Sequence, residues 1–186
     1  GFLAHPANSK LREDLRRGEL DKQDYYRQLL RLVYRLLFLF VAEDRGLLLD
    51  PTAPPENRQR YMEYYSTGRL RDLAERRKGG RHSDLFQSLK IVMDCLGRDE
   101  GCPALALYPL GSFLWSLEAL SHLAACHINN SHFLEALRNL AFVKEKNLRR
   151  RVDYKNLGPE ELGSIYESLL EQHPQLHLEA AKFDLD

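Results

Sequence analysis

The chain has 186 residues, 44% hydrophobic and 29% charged, the proportions of one globular domain long enough to bury a core. Lys+Arg and Asp+Glu both number 27, and this zero net charge argues against a dedicated nucleic-acid coat or a polybasic membrane anchor while leaving room for one local basic face. Cys95, Cys102 and Cys126 lack the dense spacing of a disulfide scaffold, residues 1–20 are too interrupted by charge for a signal peptide, and the longest uncharged stretch, 101–117, is broken by Pro103, Pro109 and Gly111. A soluble, cytoplasmic chain is expected. The start at Gly1 and the end at Phe183-Asp184-Leu185-Asp186, with no stop signal, fit a segment excised from a larger protein.

Asn8-Ser9 precedes a short charged helix over 11–17, with Gly18 as its stop. Asp21 then caps a long helix to about Arg45. Tyr26, Leu29, Leu30, Val33, Leu36, Leu37, Phe40 and Val41 follow helical spacing, and Tyr25, Leu32 and Leu39 form a second apolar stripe. A helix apolar on two sides is central. Arg27, Arg31 and Arg35 sit four apart on a remaining face, where like charges repel unless acids answer them. The prolines between Asp50 and Glu56 make a loop, and helices are predicted over 57–65, 70–77 and 83–96. After a loop over 97–110, two more are predicted over 111–125 and 131–140, the second capped by Ser131.

The pattern then changes. Phe142-Val143 and Arg151-Val152-Asp153-Tyr154 flank Glu145-Lys146-Asn147, which predicts a β-hairpin. Gly158-Pro159 opens a last helix, with Glu160 and Glu161 favourable to its dipole, and Pro174 stops it. Leu162, Ile165, Tyr166, Leu169 and Leu170 share one apolar face, a candidate docking face. The fold class expected is mainly α: one domain over 1–186, a multi-helix bundle around the long helix, with one small hairpin near 142–154.

Catalytic constellations are incomplete. Cys95 and Cys102 are separated by six residues and Cys126-His127 lies far off, unlike the close pairs of structural zinc. His82-Ser83-Asp84 are sequence neighbours at a helix start, where Ser83 or Asp84 is better explained as an N-cap than as part of a triad. Asp153-Tyr154-Lys155 matches the acid-x-Lys triplet of restriction-type nucleases, but no Pro-Asp turn precedes it to supply a second metal ligand. Neither a dinucleotide fingerprint nor a phosphate-cradling loop is present. No catalytic, cofactor or metal residue is therefore assigned. Two basic clusters stand out instead: Arg69, Arg71, Arg76, Arg77, Lys78 and Arg81 around Gly79-Gly80, and Lys144, Lys146, Arg149, Arg150, Arg151 and Lys155. Arginine grips phosphate oxygens with paired donors, the glycines would admit backbone N–H groups to a phosphate, and Tyr61, Tyr64 and Tyr65 lie near for stacking or core packing. Arg76, Arg77, Lys78, Arg81, Arg149, Arg150, Arg151 and Lys155 are the candidates for DNA-backbone contact; the alternative is solvated faces paired with Asp72, Glu75 and Glu145.

Several segments carry a family likeness. They are Leu3-Ala4-His5-Pro6-Ala7-Asn8, the 25–38 helix with its Ala42-Glu43-Asp44-Arg45 end, Tyr65-Ser66 to Arg69-Leu70, Leu110-Gly111-Ser112-Phe113-Leu114-Trp115, and RRRVDYKNLGPEELGSIYESLLE over 149–171. In this order they resemble the region upstream of the catalytic domain in large restriction-modification methylases of the type IIG-like class, adenine-specific enzymes that use S-adenosylmethionine. The family's Gly-Ser-Tyr-Tyr-Thr-Pro segment, cofactor loop and Asn-Pro-Pro-Tyr motif do not occur here; Asn129-Asn130 is followed by Ser131. The resemblance implies a non-catalytic helical domain, with residues 142–173 as a junction to the methyltransferase domain of a parent that methylates DNA and is expected in some forms to cleave it. Its implied partners are that domain and duplex DNA, with no membrane. The alternative is a structural or protein-interaction module without DNA contact.

Overall fold

The computed structural model describes residues 1–145, 148–172, 174–177, 180 and 182–185. A 3-10 turn, Pro6–Asn8, leads into α1 (Ser9–Arg17), which stops at Gly18 in the left-handed region, φ +74°. Helix α2 (Lys22–Asp44) starts where the Asp21 carboxylate accepts from Gln23 N at 2.7 Å. Both predicted stripes are buried: Tyr25, Leu32 and Leu39 on one side, Tyr26, Leu30, Leu36, Leu37 and Phe40 on the other. Leu39 and Phe40 have no exposed surface, and removing each from water contributes about 1.5–3 kcal/mol.

Around this axis lie α3 (Pro55–Arg60), α4 (Thr67–Arg76), α5 (Asp84–Gly97), α6 (Asn130–Ala141) and α7 (Pro159–Leu170). The predicted 57–65 helix is α only to Arg60 and widens into a π turn, Tyr61–Tyr65. Ser66 caps α4, its Oγ accepting from Arg69 N at 3.1 Å. Strand β1 (Phe142–Glu145) pairs antiparallel with β2 (Leu148–Arg151), Phe142 opposite Arg151. The second strand thus lies before the predicted 151–154, and the expected turn residues Lys146 and Asn147 fall outside the described residues. A second antiparallel hairpin, β3 (Pro174–His177) with β4 (Lys182–Leu185), was not anticipated; β3 lies against α2. Among the described residues no helix is long and apolar enough to cross a membrane.

The predicted helix over 111–125 does not form. The segment is a ribbon of three 3-10 turns, Phe113–Trp115, Glu118–Leu120 and Leu123–Ala125. Its serines offer the backbone local partners that compete with a helix: Ser112 Oγ accepts from Leu114 N at 3.3 Å and Ser116 Oγ from Ala119 N at 3.4 Å. Side chains of α2 take up the rest. Gln28 Oε1 accepts from His122 N and Leu123 N, Arg31 donates to Ala119 O, and Arg35 donates to Leu114 O and Ser116 O. The arginines of α2 are thus answered mainly by backbone carbonyls. Among the described residues only Arg27, at the exposed end, pairs with an acid, Asp24 at 2.8 Å.

The end of α2 fastens the remaining elements. Glu43 accepts from Tyr61 O–H at 2.5 Å, Thr67 N at 2.7 Å, Thr67 Oγ1 at 2.7 Å and Gly68 N at 2.8 Å, a carboxylate set on the N-terminus of α4. Burial and this carboxylate push the Tyr61 hydroxyl well above its usual pKa. Asp44 holds Arg71 with two bonds, at 2.5 and 2.9 Å, and Arg71 is 4% exposed beneath Phe40. Arg45 donates to Lys155 O and Leu157 O, tying down the approach to α7.

Two stability predictions follow from these contacts. Asp44→Ala leaves the Arg71 charge buried without its partner and lowers unfolding free energy by about 3–5 kcal/mol in urea titrations, whereas Asp72→Ala on the exposed face of α4 costs less than about 1 kcal/mol. Gly79 has φ +76° and a Cβ there would lie 2.6 Å from Asn130 C, while a Cβ at Gly80 meets nothing within 4 Å. Gly79→Ala therefore shifts the urea midpoint down by the equivalent of about 2 kcal/mol or more, and Gly80→Ala leaves it nearly unmoved.

Candidate nucleic-acid interface

The two basic clusters divide into internal and surface cations. Arg71 is internal. Arg69 donates to Tyr64 O at 3.4 Å, while Arg76, Arg77, Lys78 and Arg81 are exposed at the end of α4 and in the loop after it. That loop is fixed rather than open to a ligand: Ser131 N donates to Gly80 O at 3.1 Å and Asn130 N to His82 O at 2.6 Å. Gly79 thus permits close approach of two chain segments, in place of the phosphate approach expected of the glycine pair. Arg138 of α6 completes the clamp, Nε to Ala74 O and Nη2 to Arg77 O, both at 2.8 Å, satisfying carbonyls left over at the end of α4. Arg138 carries no sequence signal, since an arginine in the last turn of a helix is ordinary.

In the hairpin, cross-strand partners share a face, so Phe142, Lys144, Arg149 and Arg151 stand on one side and Val143 and Arg150 on the other. Arg151 is engaged: Nη2 lies 2.6 Å from Asp72 and 3.0 Å from Glu75, and the guanidinium sits 5.6 Å from the Phe142 ring centroid. The hydrogen bond to Asp72 leads the causes that raise its pKa. Arg151 is therefore a tie between hairpin and α4 before it is a phosphate ligand. Lys146 lies outside the described residues. Among the described residues, Arg76, Arg77, Lys78, Arg81, Lys144 and Arg149 have no carboxylate partner. Arg150 is exposed as well.

These groups form a single strip. The chain from Ala74 to Gly80 runs antiparallel to α6, touching it at Arg138 and then at Ser131, while the hairpin leaves the far end of α6 and returns through Arg151 to Asp72. The strip accordingly tracks the 12 residues of α6, a length of about 18 Å. This is about half a turn of B-form duplex.

The remaining candidates occupy other places. Asp153-Tyr154-Lys155 is not on a strand: Asp153 accepts from Asn156 N and Nδ2, which holds its pKa down, Tyr154 is buried with its hydroxyl on Leu140 O, and Lys155 is exposed in the turn. Ser83 stands at the N-cap of α5 without a capping bond, its Oγ 3.4 Å from His5 Nε2; Asn130 serves that helix start instead, donating to Asp84 and accepting from Leu85 N. His127 stacks on His5 at 5.6 Å, and Cys126 donates to His122 O. Among the described residues no group of three His, Cys, Asp or Glu side chains is placed to hold a metal. Of the tyrosines, Tyr61 belongs to the core and Tyr64 is exposed. On α7, Leu162 and Tyr166 turn partly toward α2, Tyr166 edge-on to Tyr34 at 5.3 Å, and Leu169 O accepts from Tyr26 O–H, leaving Ile165 and Leu170 as the more exposed members of the face.

The cysteines differ in access. Burial pushes the Cys126 thiol up to about 11 and, with the neighbouring Cys102 thiol, raises Cys95, while Cys102 is only half-buried. At pH 8 very little of Cys126 is thiolate, so a disulfide reagent such as dithiobis(nitrobenzoate) modifies Cys102 first in the folded chain and all three residues in urea.

Family models, curated proteins and solved structures offer no match to the chain, so its function is argued from its own side chains.

Proposed function

We propose that this chain is a non-catalytic helical domain of a restriction-modification DNA methyltransferase, one that supports the catalytic domain and lays its cationic strip along the DNA backbone. The observation that carries the DNA contact is the alignment of Arg76, Arg77, Lys78 and Arg81 with Lys144 and Arg149 along α6, without carboxylates to neutralise them among the described residues. Contacts of this kind position a protein on a duplex and carry no base sequence. Methyl transfer, with S-adenosylmethionine as donor, and any cleavage belong in this reading to other parts of the parent. Residues of the segments that carry the resemblance hold the fold together. Asn8 donates to Phe2 O and His127 O, Glu43 and Asp44 bind α4 while Arg45 binds the approach to α7, and Trp115 is buried against Phe38.

The second reading, a protein-interaction module without DNA contact, draws on the apolar side chains left in water: Val143 and Leu148 on the hairpin at 41% and 76% exposure, and Ile165 and Leu170 on α7. Arg149, Arg150 and Arg151 would then serve only solubility and the tie to α4.

The chain is expected to bind a duplex of arbitrary sequence weakly, with affinity falling steeply between about 50 and 200 mM salt. Each phosphate contact removed lowers the slope of log K against log salt by about 0.9, so Arg76→Gln/Arg77→Gln/Lys78→Gln reduces it by up to about 3 and Arg149→Gln/Arg150→Gln by up to about 2. Fluorescence anisotropy reads both. Slopes that match the unsubstituted chain remove the strip from the DNA surface, and no binding at low salt together with a dimer in solution decides for the second reading.

A further inference from the structure

The ribbon over 112–126 does not lie flat on the bundle. Between it and α5 is a cleft of about 240 Å³, walled by Leu32, Phe86, Met93, Trp115, Leu120 and Leu123. Ile91 and Leu117, 50% and 67% exposed, also line it and give it an apolar mouth. Two cations face this apolar space, Arg35 from α2 and Lys90 from α5.

Among the described residues neither cation has a carboxylate partner. Arg35 is 4% exposed; its Nε donates to Leu114 O at 2.6 Å and its Nη2 to Ser116 O at 2.8 Å, and its guanidinium lies 5.5 Å from the Trp115 ring centroid. Its Nη1 takes no acceptor among the described residues and is not sealed from solvent. Lys90 Nζ donates to Ala124 O at 2.8 Å and Cys126 O at 3.2 Å, which leaves one of its three N–H groups open. The acid on the cleft, Asp94, is bound to Arg98 one helical turn on, at 2.5 Å. Burial depresses both cations, Arg35 to about 10, with Arg31 adding to the effect. Two desolvated positive charges answered only by neutral carbonyls favour an anion beside them.

We propose that this cleft binds a small apolar carboxylate, its hydrocarbon part between Phe86, Trp115 and Leu123 and its carboxylate on Lys90 Nζ, with Arg35 adding a second positive charge to the wall. The volume sets the size class. A dry cavity of about 150 Å³ admits benzene and drug-sized sites begin near about 300 Å³, so the occupant is one ring or a medium-length chain carrying one acid group. The site is independent of the cationic strip and stands whether or not the chain binds DNA.

Trp115 is the one tryptophan of the chain and lines the cleft, so its fluorescence reports occupancy. Octanoate and octanol serve as probes of equal chain length with and without the charge. Octanoate is expected to change the emission saturably and at least about tenfold more tightly than octanol, and Lys90→Met, which keeps the apolar stem, removes that preference while octanol affinity stays the same. Octanol binding as tightly as octanoate, or no saturable change up to about 10 mM octanoate, overturns the proposal. Should Lys90→Met fail to fold, the octanoate-to-octanol ratio in the unsubstituted chain decides alone.

Discussion

The Glu43 carboxylate at the start of α4 is the contact on which the arrangement depends. A helix begins with N–H groups that have no partner within it, and those of α4 are met by a charged group from the end of another helix. The bond is therefore a cap and a tertiary joint at once. It fixes where α4 starts, and the Asp44–Arg71 pair one residue on fixes its rotation about its own axis. With α4 set, Arg138 sets α6, Arg151 sets the hairpin that leaves α6, and Arg45 sets the approach to α7. Three successive residues, Glu43 to Arg45, thus coordinate the elements that follow them in the chain.

The arginines separate by whether the protein supplies a rigid acceptor. Arg35 and Arg71 are buried because each finds two oxygen acceptors within the protein. Lysine at either position would forfeit the fork geometry that makes burial tolerable. Among the described residues Arg76, Arg77 and Arg81 find no such acceptors and stay in water. A chain of zero net charge produces a cationic surface in this way: Asp44, Glu43, Asp72 and Glu75 are drawn into joints between elements, and the basic residues beyond reach of those joints are left uncompensated.

Much of this was legible in the sequence wherever the cause is local. The two stripes of α2, the Asp21 cap, the Gly18 stop and the proline start of α7 all follow from neighbours a few residues away. The basic clusters were also visible as clusters. Their sorting was not, because the partner that takes Arg71 inside lies 27 residues away and the one that engages Arg151 lies 79 residues away. The ribbon failed for the same reason. Its apolar spacing suits a helix, yet its carbonyls are claimed by Arg31 and Arg35, 88 and 79 residues distant. The second hairpin, with strands of four residues each, is too short for alternation to announce.

That ribbon is held through its main chain as well as through the buried side chains of Trp115, Ala119, Leu120 and Leu123. Gln28, Arg31, Arg35 and Lys90 grip carbonyls and N–H groups that every amino acid except proline presents alike. Shape and side-chain identity are thereby uncoupled at the exposed positions of this stretch. Residues such as Phe113, Leu117 and Ser121 can be exchanged without altering the path of the backbone, so the surface they present can be rewritten by mutation while the frame beneath it stays the same. The constraint on its path is shared between those buried residues and four polar side chains on α2 and α5.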